Sequence, residues 1–372
     1  MPLAFQQSTY PVKKHRLHDF YRMRFVVRAS CHSTSRYESD MKIDWLPLVE
    51  MIRSYDRFLL TSHQRADCDA IGSEMALALI LEALGKQVVI VNADEVPEHI
   101  AFMDPHGRVA VLGVTAPLEA LRGFDVMIVV DTSAWGQLGG MAEVLRSFRG
   151  VKAVIDHHAS EDDLGAQVFK DSTAEATGRL ILQLAKELGV PLTPEIAAPL
   201  FAAIATDTGW FRFPSVTADT FAALAKLTAA GAKPASTFAQ LFEQHSLPRL
   251  HLRGRILQQV KPECDGRMMW THVTTADFLE TGAQKTDTED VINMLLTVKG
   301  VEVAVLFVEL EPLVTKVSLR SRSGFDVNQL AAQFGGGGHK AAAGITFAGP
   351  MVGAQQAVLD AVRGAIEKCA GN

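Results

Sequence analysis

The chain has 372 residues, 48% of them apolar and 21% charged, with a formal net charge of −6. That length suits about two domains, and the balance is that of an ordinary globular protein. No apolar run reaches the roughly 18 residues of a membrane helix, and the acidic sum gives no global basic footprint for long duplex nucleic acid, while a small anionic ligand held through metal stays compatible with it.

Residues 1–40 stand apart. Seven basic residues (Lys13, Lys14, Arg16, Arg22, Arg24, Arg28, Arg36) face three acids (Asp19, Glu38, Asp40), so the arm carries +4 and the remainder −10. It lacks steady apolar periodicity and a secretory h-region. The expectation is a disordered or non-native basic extension ahead of a start at Met41. There the globular pattern begins, with Ile43, Trp45, Leu46, Leu48, Val49 and Ile52 at helical spacing. The cysteines Cys31, Cys68, Cys264 and Cys369 form no CxxC pair. Neither structural zinc nor a disulfide framework is implied, and unpaired thiols suit a reducing cytoplasm.

From Met41 strand-like and helix-like segments alternate. Arg57–Thr61 reads as a short strand, and Gly72–Leu84 as a helix closed by Gly85. Strands follow at Val88–Val91, Arg108–Leu112, Val126–Val130 and Val151–Ile155. Continuous apolar strands between helices predict a mainly parallel sheet covered on both faces. Helices are expected at about 174–188, 194–205 and 217–230. Residues 231–255 read as a helical linker with breaks. A second, smaller α/β unit starts near 256, with strands at Met268–Val273, Val301–Val308 and Lys316–Leu319. A helix at Val327–Phe334 then runs into Gly335-Gly336-Gly337-Gly338-His339, and an amphipathic helix spans about 352–368. The expected organisation is therefore 1–40, 41–230, 231–255 and 256–372.

In open parallel sheets, ligands bind beyond the carboxyl ends of the strands. Those ends carry metal-type ligands here: His63, Asp67 and Asp69 after the first strand, Asp131 after Val126–Val130, and Asp156, His157 and His158 after Val151–Ile155. Asp207 follows a helix. Each alone has a plain reading as a helix cap, a turn former or a satisfied polar residue. Their recurrence at one edge changes that, because crowded carboxylates repel each other unless cations neutralise them. Four carboxylates (Asp67, Asp69, Asp131, Asp207) and two histidines (His63, His157) are too many for one tetrahedral zinc. They suit two octahedral divalent ions about 3.5–4 Å apart. The oxygen-rich donor set favours manganese, with magnesium and cobalt open. Such a pair activates water and clamps a phosphoryl group.

HxxxDxD, an Asp after an apolar strand, DHH and a later Asp resemble, in order, the four motifs of the DHH phosphoesterase superfamily. GGGGHKAAAG at 335–344 resembles the glycine-rich signature of its companion DHH-associated domain, and Val317-Ser318-Leu319-Arg320-Ser321 fits the same domain. The match covers nearly the whole chain from Met41, and the two-domain layout is most similar to the bifunctional oligoribonuclease and 3′-phosphoadenosine 5′-phosphate (PAP) phosphatase, or nanoRNase, family. The resemblance implies an α/β fold whose active site lies in the cleft between a catalytic DHH domain and a substrate-binding domain. One ion would be held by His63, Asp67 and Asp131, the other by Asp69, Asp131, His157 and Asp207. His158 would contact the scissile phosphate, with Asp156 orienting a histidine. Arg320, Ser321 and His339 would grip a substrate phosphate, and Gly336, Gly337 and Gly338 would let backbone N–H groups approach it.

The expected activity is hydrolysis of short oligoribonucleotides to nucleoside 5′-monophosphates, of the 3′-phosphate of PAP, or of both. A cyclic dinucleotide phosphodiesterase shares the metal motifs and is the alternative. A non-catalytic nucleotide-binding module would be expected to have lost a ligand, and none is lost. A Rossmann dinucleotide binder fails because no GxGxxG opens the first helix. The protein is expected in the cytoplasm, without membrane contact, and the resemblance leaves room for a homodimer. Cys68, between two ligand positions, raises the expectation of an oxidation-sensitive site. Trp210-Phe211-Arg212-Phe213 reads either as a base-stacking surface or as core packing. Met294 and Leu295 read as core, and the acids of 287–290 as a helix start.

Overall fold

The computed structural model of the protein describes residues 43–322 and 325–370, so the expectation for the basic arm lies outside the described residues. Helix α1 (Leu46–Ser54) precedes β1 (Arg57–Thr61), α2 (Cys68–Ala83), β2 (Gln87–Asn92), β3 (Val109–Val111), β4 (Val126–Val130), α3 (Met141–Ser147), β5 (Val151–Asp156) and β6 (Gln167–Lys170). The six strands lie in the order β3-β2-β1-β4-β5-β6, and every pairing is parallel. Side chains alternate across the sheet. Phe58 and Leu60 therefore face α1 and α2, whereas Leu59 faces α3 on the other side. Both faces are covered, which is why these strands are apolar throughout. Chain direction across the sheet reverses between β1 and β4, the point where open α/β sheets leave a crevice.

Helices α4 (Thr177–Glu187), α5 (Pro194–Asp207), α6 (Ala218–Ala229) and α7 (Pro234–Phe242) complete this half. Two glycines set the approach of α5. A Cβ on Gly72 would lie 2.6 Å from Pro199 O, and one on Gly178 would lie 2.7 Å from Ala203 Cβ. With hydrogen there instead, α2 and α4 pack directly on α5. Asp69 lies three residues before Gly72 and Asp207 four after Ala203, so this contact brings both carboxylates to one level.

Helix α8 (Leu247–Gln258) leads into the second sheet, with β7 (Lys261–Glu263), β8 (Met268–Val273), α9 (Thr275–Thr281), α10 (Val291–Leu295), β9 (Val303–Glu311), β10 (Val314–Ser321), α11 (Val327–Ala332), β11 (Gly337–His339), β12 (Ala342–Ala348) and α12 (Met351–Ala370). The order is β11-β12-β10-β9-β8-β7, antiparallel except for β8–β9. One face packs on α11 and α12. The other is covered by α8, α9 and α10 over β8 and β9, with α10 reaching β10, leaving that face of β12 and β11 open and Arg320 of β10 half-buried at its margin. Among the described residues no helix is long and apolar enough to cross a membrane.

Several elements depart from expectation. Helix α2 starts at Cys68, four residues before Gly72, because Asp67 caps it by accepting from Asp69 N and Ala70 N at 2.9 and 3.1 Å. The short edge strand β6 has a half-polar sequence without a strand signal. Gly337–His339 of the glycine run form β11 against β12, a strand without a sequence signal. Leu295 is core, but Met294 is 42% exposed. Asp287 closes a capping box with Gln284, and Asp290 precedes α10.

Candidate metal centre

Beyond the end of β1, His63 Nδ1–H donates to Gln64 O at 2.9 Å. That bond fixes the ring and leaves Nε2 with its lone pair free. Nε2 faces Asp131 Oδ2 at 3.4 Å and Asp67 Oδ1 at 3.9 Å. Asp131 follows β4 with φ 63°, a left-handed conformation uncommon outside glycine and typical of functional sites. Its backbone N–H donates to Ile155 O at 2.9 Å.

Beyond β5, His157 Nδ1–H donates to Ala174 O at 3.2 Å. Its Nε2 then faces Asp207 Oδ2 at 3.4 Å, Asp69 Oδ2 at 3.7 Å and Asp131 Oδ1 at 3.7 Å. The two oxygens of Asp131 thus look toward different histidines. Three groups have ligand atoms within 4.8 Å of one another: His63–Asp67–Asp131, Asp69–His157–Asp207 and Asp131–His157–His158. The first holds the residues expected for one ion. The second holds three of the four expected for the other, with Asp131 beside His157.

His158 points differently. Its Nδ1–H donates to Asp156 Oδ1 at 2.9 Å, and its ring lies 4.6 Å from that of His157, tilted by 61°. Half of the side chain is exposed. Asp156 is fully buried and also accepts from Ser133 Oγ at 2.6 Å, with Lys170 Nζ 3.2 Å away. Burial opposes its ionisation, but the His158 ring, Ser133 and the His158 backbone N–H outweigh that and hold it at about 2. The bond to Asp156 in turn raises His158 above the ordinary imidazole value.

Burial pushes the Asp69 and Asp131 carboxyls well up, with the nearby charges of Asp131 and Asp207 on Asp69, and of Asp67 on Asp131, adding to it. Burial also raises Asp207. Carboxylates this crowded and desolvated, facing two imidazole lone pairs, are a fit donor set for divalent cations, which would remove the repulsion.

Four supporting residues carried no recognised motif. Thr177 N and Gly178 N, at the start of α4, donate to the two Asp69 oxygens at 2.7 and 2.8 Å. Thr177 Oγ1 also donates to Asp131 Oδ1 at 2.8 Å. Ser133 and Lys170 secure Asp156, and Lys170 lies on the unforeseen β6. Cys68 is 4% exposed, and burial together with the charge of Asp67 pushes its thiol up to about 12. A buried, protonated thiol is a poor oxidation target, which corrects the expectation of oxidation sensitivity. Trp210 and Phe211 pack against the core, with Trp210 on Phe201, Phe238 and Phe242.

The second-sheet residues divide. Register aligns Arg320 with Ala342 and Ala342 with His339. Directly paired residues share a face, so Arg320 and His339 flank the small Ala342 on the open face, and Gly337 lies on it too. Ser321, next along β10, turns the opposite way, is buried, and donates from Oγ to Phe325 O at 2.6 Å; it is not brought together with Arg320. A Cβ on Gly336 would lie 2.3 Å from Gly344 O, and one on Gly338, at φ 151°, would lie 2.4 Å from Ala342 O. Close approach of β11 to β12 accounts for these two glycines without a ligand.

The signature of the DHH family N-terminal domain matches residues 57–204, and that of the DHHA1 domain matches residues 271–368. The chain is 32% identical over 331 residues to the bifunctional oligoribonuclease and PAP phosphatase NrnA of Thermus thermophilus, covering 88% of this chain and 95% of that protein. It is 29% identical over 305 residues to the Bacillus subtilis protein of the same name, covering 81% and 92%. A crystal structure of an exopolyphosphatase-related protein from Bacteroides fragilis has the same fold, with a TM-score of 0.78 at 24% identity over 88% of this chain and 97% of that one. With its ligand-bearing parallel sheet inside one match and strands β9 to β12 of its second sheet inside the other, the chain belongs to the DHH family, an N-terminal DHH domain joined to a DHHA1 domain.

Proposed function

We propose that the protein is a metal-dependent phosphoesterase that hydrolyses short oligoribonucleotides to nucleoside 5′-monophosphates and removes the 3′-phosphate of PAP. The observation that carries this reading is Asp131, whose two oxygens face His63 and His157 at 3.4 and 3.7 Å. It would be shared between two cations, one with His63 and Asp67, the other with Asp69, His157 and Asp207. When bound, the cations would supply Lewis acidity and a water of lowered pKa. Manganese suits a set of four carboxylates and two imidazoles.

The remaining work belongs to the chain itself. Asp156 favours the cationic form of His158 and holds the ring aimed outward, where the imidazolium would neutralise charge growing on the scissile phosphate. Arg320 and His339, with Gly337 on the same face two residues along β11, would hold the far phosphate of the substrate on the open face of the second sheet. The domains would divide at about 230 and 256. The relatives support this reading over cyclic dinucleotide hydrolysis, and six intact ligand positions speak against a non-catalytic module.

The test is a substrate panel of pApA, PAP and cyclic di-AMP with manganese, using Asp131→Ala as the blank. Release of AMP from pApA and PAP by the wild type alone supports the reading. Turnover of cyclic di-AMP in preference to both overturns the substrate assignment, and equal rates in Asp131→Ala overturn the role of Asp131.

A further inference from the structure

Helix α8 carries an arrangement that the metal centre does not use. Arg249 and Arg253 are one helical turn apart, each partly buried. The Nε atoms of both are buried without a hydrogen-bond partner. Neither side chain forms an ion pair with a described residue. Arg255 shows the contrast, since it reaches Asp277 at 3.0 Å and also Glu280. Like charges at this spacing repel, and a buried unpaired donor is costly. Beyond the buried Nε atoms, the terminal guanidinium nitrogens of two arginines one turn apart also bond no described residue, and such a pair on a partly exposed stretch matches the oxygens of a phosphate.

The surroundings agree. His245, ahead of the helix, is shifted below the ordinary imidazole value by burial and then by Arg253 and Arg249. Arg253 is itself lowered by burial and by Arg249. Asp287 and Asp290 act on both groups only at longer range. Position matters too. Phe238 and Phe242 of α7 lie 5.2 and 5.5 Å from Trp210, which follows Asp207 by three residues. Residues 243–246 then join α7 to α8, whose Leu252 and Ile256 enter the second core. The arginine pair thus sits on the segment running from the loop after Asp207 into the second sheet.

We propose that Arg249 and Arg253 form a second phosphate-binding site, one that takes a phosphate of the oligonucleotide beyond the one being cleaved. The assignment to a substrate phosphate rests on the phosphoesterase reading above. Free inorganic phosphate has the same chemistry, and the experiment separates the two sources.

Full-length wild type, Arg249→Gln/Arg253→Gln and Arg249→Lys/Arg253→Lys are titrated with inorganic phosphate and assayed on di- and penta-adenylate. The metal centre is common to all three, so differences report the pair. Phosphate affinity is expected to fall at least tenfold in the Gln variant and less in the Lys variant. The ratio of KM for penta-adenylate to KM for di-adenylate should rise at least fivefold. Weakened phosphate binding with an unchanged ratio overturns the assignment to the substrate chain in favour of free phosphate. Unchanged affinity and ratio overturn the site. If the double variant misfolds by circular dichroism, the single Arg253→Gln is read the same way. A wild type that cleaves neither oligonucleotide defeats the phosphoesterase reading, while the phosphate titration still decides the site.

Discussion

Asp156 Oδ1 and His158 Nδ1 lie 2.9 Å apart, and each moves the other toward its charged form. His158 therefore stays an imidazolium to higher pH than a free histidine. If that cation serves turnover, kcat falls as pH rises through the raised value. In Asp156→Asn a neutral amide replaces the charged acceptor that raises His158 most, so the alkaline limb should move to lower pH and kcat should drop roughly 10–100-fold. A kcat–pH profile checks both; an unmoved limb would mean that another group titrates.

The adjacent histidines should separate by experiment. His157 Nε2 faces three carboxylates, while His158 faces Asp156 and solvent. His157→Ala should weaken manganese binding by about 10–100-fold, measured by equilibrium dialysis. His158→Ala should bind manganese normally and lose turnover. The converse pattern would reverse the two roles.

Thr177 gives its N–H to Asp69 and its hydroxyl to Asp131. Thr177→Val keeps the first bond and removes the second, leaving a buried carboxylate oxygen one donor short. Manganese affinity should fall roughly tenfold, with Thr177→Ser restoring it. A Ser variant as weak as Val would mean that the methyl group, not the hydroxyl, matters.

Glu74 is fully buried, and that burial lifts its carboxyl to about 7 despite the bond from Asn92 Nδ2 at 2.9 Å. Between the unfolded value and about 7 the native state holds a proton that the unfolded chain has released. Stability therefore falls as pH rises through that window. Glu74→Gln removes this penalty and should be more stable than wild type at pH 8 by roughly 3 kcal/mol, with little difference at pH 4. Urea midpoints at the two pH values test it; equal midpoints at pH 8 would contradict the buried-acid account.

The positions that gather into the candidate metal centre were legible because apolar strands announce their own ends, and Asp131 and His157 follow β4 and β5 directly. Thr177, Ser133 and Lys170 were not legible, since a hydroxyl at a helix start or an amine on a half-polar edge strand has no signature until the chain folds. Ser321 could have been set aside from sequence alone, because neighbours on a strand face opposite ways and Arg320 takes the open side. His157 and His158 escape that rule because β5 ends at Asp156. Gly336 and Gly338 are a different case: a glycine needed for strand approach looks the same in sequence as one needed for a ligand, and the close approach of β11 to β12 is reason enough for both.

Among the described residues every candidate metal ligand comes from residues 63–207, and the second sheet contributes none of them. On the function proposed above, hydrolytic chemistry and choice of substrate would be written on separate modules of one chain. The loops of the first sheet can stay fixed while the open face of the second drifts toward a new clientele, so that a change of diet would leave the reaction itself untouched.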